Sequence, residues 1–180
     1  MAARSGFNPI GTPDTRYVMN LPVSAGGQPV CKGDAVRYTA GTLTALGAGM
    51  DPGAGFGVVL AVYTTANRPL TFASTKFIAS AGVGRADVCW DVNQLYSIKC
   101  ETSVATTTLP VNMQIDASGP VATLGISGMA LTAQTSASVG NPFKVIAISP
   151  MGELGGKGST GNAGQEVVCM WNNHTLRTGN

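Results

Sequence analysis

The feature that most constrains this chain is how often glycine and proline interrupt it. Between Gln28 and Tyr63 the sequence runs QPVCKGDAVRYTAGTLTALGAGMDPGAGFGVVLAVY, so short apolar runs alternate with glycine turns. Pro29–Cys31 leads into the turn Lys32-Gly33-Asp34, Gly41 turns the chain before Leu43–Leu46, and Gly53–Gly57 opens the run Val58–Tyr63. Val36 and Tyr38 fall on one side of an extended chain while Arg37 and Thr39 fall on the other, the period of two of a half-buried strand. The stretch reads as architecture, with no residue set for acid, base or nucleophilic chemistry.

The same pattern recurs along the chain. Residues 1 to about 20 hold Gly6, Pro9, Gly11 and Pro13 with almost no periodicity. They read as an extended N-terminal arm outside the core, loose in a free monomer and laid on a neighbour in an assembly. Tyr17–Val23 predicts a first strand; Arg68–Ala73 and Lys76–Ala79 predict short ones. Ala86, Val88 and Trp90 alternate with Asp87 and Cys89, Asp91-Val92-Asn93-Gln94 offers a turn, and Tyr96 and Ile98 continue on the far side, which predicts a hairpin. Val111, Met113 and Ile115 predict a strand ended by Ala117-Ser118-Gly119-Pro120. Val121–Leu124, Met129–Thr132, Phe143–Ile148 and Glu166–Trp171 follow, the third apolar on both faces and so central to its sheet.

No window of eleven or more residues carries an i, i+3, i+4, i+7 stripe with helix caps, and the 129–139 stretch has room for one or two helical turns at most. The expected fold class is all-β, an antiparallel β-sandwich or barrel. It is either one domain or two small β lobes (21–80 and 81–180) behind the arm (1–20). Gly41–Gly47 and Gly119–Gly125 echo each other, each followed by a Met and then an apolar strand. The echo raises a duplicated β unit with a boundary near residue 80.

Composition narrows the function. Charged residues make up 11% of the 180, less than half the usual share of about 25%, and the net charge is +2. So little surface charge protects a monomer poorly against association, which points to surface buried against copies of itself or a larger partner. The eleven Lys and Arg are scattered with no two adjacent, which argues against a nucleic-acid footprint. No run approaches the ~18 apolar residues of a membrane span, and the opening residues carry no apolar signal core. Cys31, Cys89, Cys100 and Cys169 form no CxxC pair and His174 stands alone, so they read as buried, reduced thiols rather than a metal site. A Cys89–Cys100 disulfide across the predicted hairpin is the competing reading.

The motifs that suggest chemistry fall short of it. Gly152–Thr160 is glycine-rich, but Gly158 separates Lys157 from Ser159 and a strand follows, so it lacks the Lys-Ser/Thr step and helix of a phosphate loop. Gly125-Ile126-Ser127-Gly128-Met129 lacks the last glycine of a nucleophile elbow, and nothing brings His174 to Ser127. Asp87 and Asp91 flank Trp90 as a glycosidase pair would, but beside a turn solvated Asp is ordinary. Val30–Val36 shares its β-turn chemistry with biotinyl carrier hairpins and lacks their displayed lysine turn. The residues therefore assign no catalytic, cofactor-binding or metal site, and the chain is expected not to be an enzyme.

Taken in order, KGDAV, FGVVLAVY, RADVCWDVNQLYSIKC, NPFKVIAI and VVCMWNNHTLRTGN resemble the layout of small capsid decoration (cement) proteins of tailed, especially short-tailed, bacteriophages, over roughly residues 20–176. The resemblance rests on strand-and-turn patterns. It implies a β-rich structural protein, made in the host cytoplasm and carried on the outer surface of the virion. Its partner would be the major capsid protein, and it would be homo-oligomeric with a trimer as first choice, without cofactor, nucleic acid or membrane. A head-fibre or tail adaptor component and a β-sandwich carbohydrate-binding module are the alternatives.

Overall fold

The structure is a computed structural model describing residues 6–24, 29–46, 55–66, 77–79, 82–102, 104–121, 126–132, 141–149 and 165–172. It is all-β, with no α-helix among the described residues. The strands are β1 (Asn8–Pro9), β2 (Val18–Ser24), β3 (Ala35–Thr39), β4 (Thr42–Ala45), β5 (Gly57–Tyr63), β6 (Val83–Cys89), β7 (Tyr96–Cys100), β8 (Val111–Val121), β9 (Ile126–Thr132), β10 (Phe143–Ile148) and β11 (Gln165–Trp171). The predicted strands at Arg68–Ala73 and Val121–Leu124 lie wholly or largely outside the described residues.

The strands close into two rings. The first runs β2-β4-β3-β5-β6 and back to β2. The second runs β7-β11-β10-β8-β9 and back to β7, with β1 added on β7. Matched in chain order, β2–β6 and β7–β11 have the same topology. In each ring the first strand pairs parallel with the third and antiparallel with the fifth, and the second strand pairs with the third and fourth.

The match extends to register. Met19, Val88 and Val59 lie side by side across β2, β6 and β5, as Tyr96, Cys169 and Val145 do across β7, β11 and β10. The row Leu21–Ala86–Val62 corresponds to Ile98–Val167–Ile148. Val23 faces Leu43 across one parallel pair and Cys100 faces Leu131 across the other. Tyr38 then faces Leu43 as Ile115 faces Leu131, and Val36 faces Gly57 as Met113 faces Phe143. Even the irregularities coincide: β5 shifts register between Val59 and Ala61, and β10 between Val145 and Ala147. Each bulge advances the alternation by one residue and turns Val62 and Ile148 inward, where strict period two gives the wrong face. A duplicated β unit is present, but its register matches Leu43 with Leu131, because the β8–β9 hairpin is longer than β3–β4.

Three expectations change. β6 and β7 do not form a hairpin: β6 pairs with β2 and β5, and β7 with β1, β9 and β11. Their alternation is real, but each strand turns its apolar face into its own ring. The chain therefore passes from ring to ring between Cys89 and Tyr96, not near residue 80. Ala117–Pro120 does not end a strand, because β8 runs on to Val121 with an irregularity after Ser118. The N-terminal segment is not an arm outside the core. Phe7 is 1% exposed and Asn8–Pro9 pair with Ser97 and Tyr96.

Candidate functional site: the joint between the rings

The two rings meet around Lys32–Ala35, Ser127–Met129 and Gly6–Phe7. Gly33 has φ +88°, a left-handed turn that glycine adopts without strain. The turn presents Lys32 O to Ser127 N at 2.9 Å and Gly33 O to Phe7 N at 2.8 Å. Gly6 N donates to Met129 O at 2.7 Å, so the N-terminal strap binds the loop of one ring and the strand of the other. Gly6 also has a positive φ, and a Cβ there would stand 2.5 Å from Ser127 Cβ.

Beside the strap lies an aromatic stack. Phe7 stacks on Phe143 at 4.2 Å between centroids, Phe143 packs on Trp171 at the same distance, and Tyr96 meets Phe7 edge-on at 6.0 Å. All four side chains are buried. Gly55, from the first ring's loop, lies so close that a Cβ would come within 2.6 Å of the Trp171 ring. The rings therefore share one core, and the strap is part of it.

Asp34 is the polar centre of the joint. It is 3% exposed. Its Oδ2 accepts from Cys31 N at 2.8 Å, the Cys31 thiol lies 3.5 Å away, and the Ser127 hydroxyl donates to the carboxylate across the ring boundary. Burial pushes the Asp34 carboxyl up to about 6, with the Ser127 and Cys31 hydrogen bonds pulling back in the other direction. Burial, reinforced by the Asp34 charge, drives the Cys31 thiol well above its ordinary range. The thiol stays protonated and is a poor nucleophile. Ser127 Oγ also accepts from Met129 N at 2.9 Å. The buried carboxylate thus gathers a thiol, a hydroxyl and a main-chain N–H from both rings and fastens one to the other.

The other sequence candidates are dispersed. Ser127 of the near-elbow is held at this joint, whereas His174 and the Gly152–Thr160 loop lie outside the described residues. Asp87 bonds Asn20 Nδ2 at 2.7 Å and the Tyr63 hydroxyl, and pushes Tyr63 up to about 12. Asp91 instead accepts from Asn93 N at 2.9 Å in the inter-ring link, so the two carboxylates serve separate structures. Cys31, Cys89, Cys100 and Cys169 are buried and free. Among the described residues no three His, Cys, Asp or Glu side chains gather as a metal site.

No protein-family model, curated protein or solved structure matches this chain. The site therefore has to be read from its own chemistry, and the remaining buried polar groups repeat the theme. Gln165 holds Val104 at both ends, Nε2 to Val104 O at 3.2 Å and Oε1 from Val104 N at 3.4 Å. Gln94 Nε2 donates to Ile10 O and Leu95 O at 3.0 and 2.8 Å, tying the strap to the inter-ring link. Asn141 Nδ2 donates to Asn112 O at 3.1 Å. Sequence reasoning missed the Asp34 joint and the Phe7 anchor. The available signals were an Asp between two apolar runs, VCKGDAV, and one Phe in an otherwise featureless segment.

Proposed function

We propose that this protein is a structural component that decorates a bacteriophage head and bridges neighbouring major capsid subunits. The observation that carries this reading is where the buried polar side chains go. Asp34 bonds Cys31 N in its own turn and the Ser127 hydroxyl of the other ring. Gln94 ties the strap to the inter-ring link, and Asn141 and Gln165 bond main chain of neighbouring segments of the second ring. These interior polar groups brace main chain and fasten the joint, Asp34 and Ser127 across the ring boundary and the others at the link or within the second ring, as a part that bears load requires. The low charge adds to this, since a surface with few charges is suited to lasting contact with other subunits. The family resemblance supplies the identity of the assembly.

Many copies each burying a modest interface would force internal pressure to break many contacts together. The test is the copy number in purified particles, by quantitative mass spectrometry against the most abundant shell protein. A ratio of a few tenths to one per shell subunit is expected. A handful of copies would move the protein to the tail or a vertex, and absence from particles would overturn the structural reading.

A further inference from the structure

The two rings treat one edge differently. In the second ring Ile10 N donates to Leu95 O at 2.9 Å and Asn8 pairs with Ser97, so the side of β7 facing away from β11 is filled by the strap. In the first ring Trp90 N donates to Tyr17 O. Alternation along an antiparallel pair then turns the main-chain groups of Met19, Leu21 and Val23 toward β6, and those of Val18, Asn20 and Pro22 away from it. Val18 and Asn20 hold the register positions of Leu95 and Ser97, the residues the strap occupies. Among the described residues no strand pairs with β2 there, since β4 reaches it only at Val23.

Burial follows the same division. Tyr96 and Ile98, under the strap, are 0% and 1% exposed. Their counterparts are open: Met19 is 44% exposed and Leu21 half-buried. The edge is partly protected. Pro22 offers no N–H, Val18 N–H donates to Thr15 O, and Arg85 Nη2 donates to Asn20 O at 2.9 Å, which leaves that oxygen a second lone pair. The Val18 carbonyl and the Asn20 N–H and carbonyl, counterparts of the Leu95 and Ser97 groups that face the strap, remain to pair.

We propose that the open edge of β2, at Val18–Leu21, takes an extended, uncharged segment of a partner protein that lays one aromatic or aliphatic side chain over Met19 and Leu21. The argument for that occupant is the duplicate ring, where an uncharged segment, Phe7-Asn8-Pro9-Ile10, fills the corresponding edge and its Phe packs edge-on against Tyr96, the counterpart of Met19. This is strand addition, with main-chain bonds giving affinity and one apolar anchor giving selectivity. The partner's place in a larger assembly rests on the proposed function. The edge itself does not.

The probe is a synthetic peptide spanning Gly6–Thr12, GFNPIGT, added to isotope-labelled full-length protein and followed by NMR. Saturable shifts are expected at the Asn20 amide and the Met19 methyl. They should be lost in Asn20→Pro, which repeats at an outward-facing position what β2 already carries at Pro22. Met19→Lys, a second variant that keeps the backbone donors, should weaken binding at least tenfold by placing a charge under the anchor. Unchanged spectra at millimolar peptide, or shifts confined to β7 and Phe143 through displacement of the chain's own strap, would overturn the proposal. Loss of the same signals on concentrating the protein without peptide would overturn the partner in favour of a second copy. Particle copy number is measured independently, so either reading can fail alone.

Discussion

Replacing Asp34 by asparagine tests whether the joint between the rings is held at a thermodynamic cost. The folded protein pushes this carboxyl up to about 6 from an ordinary value of 3.8, chiefly by burial. The native state therefore holds its proton more tightly than the unfolded chain does. Between roughly pH 4 and 6 the unfolded chain has released the proton while the native state keeps it. Stability from this group is fully present below about pH 4, declines through the window, and levels off above about pH 6. From 3.8 to about 6, at roughly 1.4 kcal/mol per pH unit, the loss comes to about 3 kcal/mol.

The Asp34→Asn side chain would keep an acceptor for Cys31 N and remove the charge, giving up a charge-assisted bond worth about 1.5–3 kcal/mol. The assay is urea unfolding followed by the fluorescence of Trp90 and Trp171, for parent and Asp34→Asn, at intervals from pH 4 to 8. Other carboxylates titrate in the same range, so the informative quantity is the difference between the two proteins. That difference should shift in favour of the variant by about 3 kcal/mol as pH rises from 4 to 7. A flat difference curve would refute the reasoning, because it would mean that hydrogen bonds from Cys31 and Ser127 fully offset burial. A curve of opposite slope would refute it more strongly.

Phe7→Ala removes a fully buried ring from the shared stack and should cost about 3–5 kcal/mol in the same assay; a loss below about 1 kcal/mol would return the segment to a dispensable arm. Gln165→Leu leaves Val104 N and O without their partner and should cost about 2–4 kcal/mol, with faster amide hydrogen exchange at Val104 as the local signature. Gly6→Ala must move Ser127 and accept a positive φ, and should destabilise by about 1–3 kcal/mol. The four thiols are buried, and burial raises Cys31, Cys100 and Cys169 above their ordinary range, so a thiol reagent should label none in native protein and all four in urea. Labelling of Cys31 in native protein would show that the joint opens.

Strand positions were legible in the sequence because period two is set by the chain's own geometry. Partners were less so. The segment Ala86–Ile98 has the alternation and turn residues of a hairpin, but alternation reports which face a strand buries and says nothing about which strand lies beside it. Pro120 and Gly119 read as punctuation, while pairing with β9 carries β8 through them. The echo around Gly41 and Gly119 pointed to duplication through turn residues, which are the part that diverges when one hairpin lengthens. The inward rows, Leu21–Ala86–Val62 and Ile98–Val167–Ile148, are apolar in both rings but share no identical residue at matched positions. Their kinship is therefore visible only through pairing. Asp34 was hidden for a different reason: Lys-Gly-Asp is fully explained as a surface turn until a second ring is packed on it.

The duplication also explains why one copy needs its strap and the other does not. A five-stranded ring whose first strand is longer than its parallel neighbour's contact leaves an edge, and an edge with free main-chain groups invites pairing. The second ring closes that edge with the chain's own residues 8–10, and the cover is apolar because Tyr96 and Ile98 lie beneath it. The first ring meets the same problem with polar groups. Arg85 grips Asn20 through both side chain and carbonyl, Asp87 binds Asn20 from β6, and the Tyr63 hydroxyl donates to Asp87 from β5. The counterparts of Asn20, Asp87 and Arg85 are Ser97, Val168 and Glu166, which cannot build such a network. One ring thus gained a covering segment and the other a polar clip, and the clip, unlike the strap, leaves Met19 exposed and the edge able to accept a chain from elsewhere.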